Sequence, residues 1–98
     1  MDKEQAIELA RKYKAALADK IQVKALYLYG SFSKGTYNAD SDIDIAVIVD
    51  ELSEDYFEDT PILWKIKRKI SNLIEPVLLT EDSGNPLYND VIATGTLI

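Results

Sequence analysis

The chain has 98 residues, 47% hydrophobic and 29% charged, with 17 acidic against 11 basic side chains, a net charge of −6, no cysteine and no histidine. Such a length holds one domain, residues 1–98, around a modest core, and the missing residue types exclude disulfides, thiol nucleophiles, zinc sites and serine–histidine triads. No apolar run approaches the roughly 18 residues of a membrane span, no signal-peptide pattern is present, and the acidic surplus argues against direct binding of nucleic acid, so a cytoplasmic protein is expected.

In chain order, Asp2 to about Ala18 sets Ala6, Leu9, Ala10, Tyr13 and Leu17 on one stripe and predicts a helix. Lys24 to Tyr29 alternates Leu26 and Leu28 against Ala25, Tyr27 and Tyr29, a strand that ends at Gly30. Gly30 to Asp42, rich in Gly, Ser, Asn, Asp and Thr, reads as a loop or short helical turn. Ile43 to Val49, almost wholly apolar and β-branched, gives the strongest strand signal.

Ser53 to about Leu73 predicts a second long helix through Ile62, Leu63, Ile66, Ile70 and Leu73, with Pro61 where its regular part begins. The basic run Lys65-Ile66-Lys67-Arg68-Lys69 within it reads as a solvated helix face. Ile74 to Thr80 is a third strand, and Pro76 inside it requires an edge position or a bulge. A polar loop from Glu81 to Asn85 leads to a final helix around Leu87 to Thr94 that stops at Gly95. The order α-β-(short α)-β-α-β-α predicts an α/β (α+β) domain, a small mixed sheet with flanking helices. The edge from Glu75 to Thr80 and the apolar Leu97-Ile98 are the expected contact surfaces for a homodimer or hetero-oligomer.

The chemistry concentrates between Gly30 and Asp44. Strand alternation sends Asp42 and Asp44 to one side and Ile43, Ile45, Val47 and Val49 to the other. Two neighbouring carboxylates repel each other on a bare sheet, and a divalent cation shared with phosphate oxygens removes that conflict. Gly30-Ser31, directly after a strand, lets a phosphate approach the main chain and meet the serine hydroxyl and nearby amides; Gly35 adds a second flexible point. Asp40, Asp42, Asp44 and Glu51 also match the ligand spacing of a calcium loop. That reading fails at Ile45, where such a loop needs glycine. The glycine-lysine-serine/threonine ending of a P-loop is absent.

Gly30-Ser31, ten further residues, then Asp42-Ile43-Asp44 resembles the signature of the nucleotidyltransferase superfamily related to DNA polymerase beta, and the short chain resembles its minimal branch. The resemblance implies a nucleotidyltransferase fold in which Asp42 and Asp44 ligate two magnesium ions. It implies that Ser31 contacts the triphosphate of ATP, with Gly30, Lys34, Gly35 and Ser41 in the same nucleotide-binding stretch. Relatives carry a third carboxylate on a following strand, more often aspartate; here Glu75 takes that place. Lys34 stands where many relatives have arginine, which loses the bidentate grip on phosphate. The minimal branch resembles the antitoxin half of modules paired with a HEPN-domain toxin, which implies transfer of AMP from ATP to a toxin tyrosine. Two alternatives are a module that neutralises its partner by contact alone, and transfer to a small-molecule hydroxyl.

Overall fold

The computed structural model describes residues 2–30, 32, 35, 41–50, 56–81 and 84–98. Helix α1 spans Lys3–Ala18 and is opened by a reciprocal cap: Asp2 Oδ1 accepts from the Gln5 amide at 2.8 Å, and Gln5 Oε1 accepts from the Asp2 amide at 2.9 Å. Strands β1 (Ala25–Tyr29) and β2 (Ile43–Ile48) are followed by α2 (Tyr56–Ile70), β3 (Ile74–Leu79), α3 (Pro86–Thr94) and β4 (Thr96–Leu97). The four strands form one mixed sheet in the order β3-β2-β1-β4. β1 runs antiparallel to both its neighbours, and β2 and β3 are parallel, joined by the crossover through α2.

Alternation decides which face each strand residue serves. Leu26, Leu28, Ile43, Ile45, Val47 and Ile74 are buried under α1 and α2, which contribute Ala6, Ala10, Tyr13, Leu17, Leu63 and Ile66. On the opposite face Ala46, Ile48 and Leu79 pack against Val91 of α3, with Tyr27, Tyr29, Val77, Leu87 and Tyr88 around them. β2 is therefore covered on both faces, which is why it reads as a continuous apolar run after Asp44.

Tyr13 ties the two large helices together. Its hydroxyl donates to the Leu63 carbonyl at 2.8 Å in the core, and burial pushes its pKa up, so it stays a neutral donor. Tyr13→Phe is expected to lose about 1 kcal/mol, read as a lower urea midpoint at unchanged slope.

Pro76 sits on the edge strand, as expected. The Leu73 and Leu79 carbonyls accept from Ile43 and Val49 at 2.8 and 3.0 Å. Odd-numbered residues of β3 thus face β2, and the Pro76 nitrogen points to the open edge where no ladder bond is lost. Pro61 corrects the expected start of the second helix: α2 already runs from Tyr56, and Pro61 lies inside it. The ring forfeits one bond, to the Phe57 carbonyl, at an exposed position early in the helix; the expected start at Ser53 lies outside the described residues. β4 was not foreseen, because two residues carry no periodicity. It pairs Thr96 and Leu97 with Leu28 and Tyr27. The expected contact surface at the tail is therefore partly spent within the chain: Ile98 donates to the Leu26 carbonyl at 2.9 Å and packs on the core, while Leu97 stays 63% exposed.

Gly95 does stop α3, but in extended rather than left-handed backbone. A Cβ there would lie 2.5 Å from the Val91 carbonyl oxygen that accepts from the Gly95 amide, so the space is what excludes other residues. At the end of the sheet remote from Asp42, Lys24 bridges Glu81 at 2.9 Å and Asp50 at 3.6 Å, an exposed clasp between strand ends. The basic run of α2 is solvated at Lys65, Arg68 and Lys69. Lys67 departs from that reading and is buried.

Candidate active site

Three strand ends meet at one end of the sheet: β1 finishes at Tyr29, β2 begins at Ile43 and β3 begins at Ile74. The register pairs Tyr29 with Asp44 and Asp44 with Glu75. Directly paired residues share a face, on strands about 4.8 Å apart, so these three side chains form a row on the face that also carries α3. Asp42 lies two positions before Asp44, just ahead of β2, and is exposed; Asp44 and Glu75 are half-buried. Their partners Ile43, Ile45 and Ile74 are fully buried beneath, which anchors the carboxylate-bearing backbone from behind.

The electrostatics follow from that placement. The Asp44 carboxyl is pushed above the usual carboxylate range first by burial, then by the charges of Asp42 and Glu75. All three acids therefore share one local field. The Tyr29 phenol is pushed up by burial and then by Asp44 and Glu75, so it remains protonated beside them. Gly30 closes the corner with φ +69°, and a Cβ there would collide with Asp44 Oδ2. The Asp44 carboxylate thus lies over the glycine Cα, and both the left-handed backbone and the lack of a side chain are required at that point.

Among the described residues, no three Asp, Glu, His or Cys side chains already converge on one point. The acids stand instead as a row with Asp42 at its flank, within electrostatic reach of one another. Carboxylate oxygens are the hard donors that divalent cations prefer, and a cation bound beside Asp44 would offset the repulsion from Asp42 and Glu75.

Of the other expected residues, Ser41 is half-buried immediately before Asp42. Gly35 is exposed at φ +79°, with open space around it, so its requirement is conformational. Ser31 and Lys34 lie outside the described residues. Phe32 between them is fully buried in the main core and pins that point of the loop. Sequence reasoning did not single out Tyr29 as a neighbour of the acids. Its alternation with Leu28 was visible, but its pairing with Asp44 depends on a register that the 13-residue separation of the two strands leaves open.

Residues 11–98 match the family described as polymerase beta, nucleotidyltransferase. A protein of Methanocaldococcus jannaschii that bears the name of a candidate protein adenylyltransferase is 35% identical over 79 residues, covering 81% of this chain and 79% of its own length. In fold, the chain is similar to a candidate nucleotidyltransferase from Sulfolobus solfataricus, with a TM-score of 0.70 and 22% identity over 97% of this chain and 80% of that one. It is also similar to a chain in the crystal structure of a toxin–antitoxin with AMP-PNP, with a TM-score of 0.57 and 25% identity over 99% of this chain and 72% of that one.

Proposed function

The chain belongs to the polymerase beta nucleotidyltransferase family, and from that premise we propose that it is an antitoxin that transfers AMP from ATP to a tyrosine hydroxyl of a partner HEPN toxin. One observation carries the reading: Asp44 and Glu75 stand side by side on paired strands, with Asp42 flanking them and a bare glycine corner beneath Asp44. The name of the archaeal relative points to a protein acceptor, and the toxin–antitoxin neighbour with AMP-PNP supports both the nucleotide and the kind of partner.

Asp42, Asp44 and Glu75 would hold two magnesium ions, which neutralise charge on the triphosphate and lower the barrier to displacement at the α-phosphorus. The chain's own groups do the rest. Gly30 leaves the main chain open to phosphate oxygens, and Ser31, Lys34, Gly35 and Ser41 belong to the stretch that orients them. Glu75 accepts the proton of the acceptor hydroxyl as its oxygen bonds to the α-phosphorus. The bond from that phosphorus to the bridging oxygen breaks, and pyrophosphate leaves. The net charge of −6 also suits a basic, RNA-directed partner.

Mass spectrometry of the toxin partner after incubation with the chain, ATP and magnesium tests the proposal. One or more AMP masses on a partner tyrosine are expected, and none with the Asp42→Asn/Asp44→Asn double variant. A stable complex without any mass gain would overturn the transfer reading and leave a module that acts by contact.

A further inference from the structure

Among the described residues, one charged side chain is buried, and the row of acids does not include it: Lys67, 8% exposed in the last turn of α2. Its ammonium lies 5.0 Å from the centroid of the Trp64 ring and donates to the Asn72 carbonyl at 3.0 Å. A lysine with an unperturbed choice of rotamers places its charge in water; here the ring and the carbonyl draw it inward, where the C-terminal end of the helix also favours a cation.

Asn72 belongs to the three-residue turn between α2 and β3, and that turn is where the carboxylates acquire their relative positions. The Ser71 amide donates to the Lys67 carbonyl at 2.8 Å, and the Leu73 amide to Ser71 Oγ at 3.2 Å. The Leu73 carbonyl then accepts from the Ile43 amide at 2.8 Å. Ile43 is the residue between Asp42 and Asp44, and Glu75 stands two residues after Leu73. This main-chain bond opens the β2–β3 ladder at the end where Asp42, Asp44 and Glu75 stand, so it is the ladder contact nearest the acids.

We infer that Lys67 is a positioning residue for the metal site: by holding the Asn72 carbonyl, it fixes the turn whose bond to Ile43 registers Asp42 and Asp44 against Glu75. The inference rests on the reading of those acids as metal ligands, and it adds a residue from the opposite face of the sheet to what determines metal affinity. Groups that orient ligands from behind typically change affinity ten- to a hundred-fold when removed.

The experiment compares the whole chain with Lys67→Met, which keeps length and packing but removes the donors and charge, and with Lys67→Arg. Mn²⁺ binding in the presence of a non-hydrolysable ATP analogue is titrated by electron paramagnetic resonance, and amide exchange is followed by NMR. Lys67→Met is expected to weaken Mn²⁺ binding at least about ten-fold and to speed exchange at Ile43 more than at Val47 in the middle of the same strand; Lys67→Arg should recover part of both. A merely structural lysine would instead lower the melting temperature and speed exchange evenly, leaving the Mn²⁺ midpoint of the folded protein unmoved, and that result would overturn the inference. Unchanged exchange at Ile43 would overturn it equally. Should wild-type chain bind no Mn²⁺, the metal-site reading itself fails, while exchange at Ile43 still reports whether Lys67 holds the turn. If Lys67→Met does not fold, Trp64→Leu, which takes away the ring under the ammonium, carries the same comparison with the same expected direction.

Discussion

Asp44→Asn is expected to cut AMP transfer by about a hundred- to a thousand-fold while leaving the thermal unfolding midpoint of the metal-free chain unchanged or higher. The two effects have one cause. Asp44 is half-buried, and its ionised form is disfavoured by burial and by the charges of Asp42 and Glu75. Removing that charge relieves the metal-free fold of the repulsion from Asp42 and Glu75, a trade between stability and activity that is common at built sites. The amide is nearly the same size, so packing against Gly30 is retained. Parallel measurements of radiolabelled AMP transfer and of melting without divalent cation separate the two effects. A variant that melted markedly lower would show that Asp44 is a structural acid.

Gly30→Ala is expected to act in the complementary way, with a stability loss of about 1–2 kcal/mol and a loss of transfer of about a hundred-fold. The first figure comes from the positive φ of +69°, which a Cβ makes strained. The second follows from what the new methyl group would meet: Asp44 Oδ2, the free end of a side chain, which can rotate away. The collision is thus relieved by displacing a carboxylate of the site, and the protein stays folded with its oxygen donor misplaced. Denaturant melts and transfer assays on the same sample check both figures. Full activity with the expected stability loss would mean that Asp44 does not need its position over Gly30.

Much of this site was legible in the order of residues, because alternation is a strict rule within one strand. Alternation about Ile43 predicted Asp42 and Asp44 on one side, and the charge of Asp42 does act on Asp44. Glu75 before Pro76 could be placed on a strand, and the edge position followed from the missing donor of Pro76. What one strand cannot tell is its pairing with another. The neighbours of Asp44 depend on the register of β1 and β3, set by helix packing and by the turn at Ser71 to Leu73 rather than by local pattern. Two smaller failures have the same origin. Lys67 looks like its solvated neighbours Lys65, Arg68 and Lys69 until Trp64 and the Asn72 carbonyl are brought beside it. Thr96 and Leu97 become a strand only because Tyr27 and Leu28 offer them a free side.

The arrangement at the margin of β3 bears on how this protein behaves when crowded. An exposed strand margin ordinarily invites stacking of further copies into fibres. Of the three outward positions here, Ile74 already gives its N–H to the Ser71 carbonyl at 3.3 Å and Pro76 has none. A second sheet laid along that margin would find a broken row of donors. The charge of Glu75, held within the same strand, would be carried into every layer of such a stack. Glu75 and the proline beside it would thus work against polymerisation along that side of the sheet.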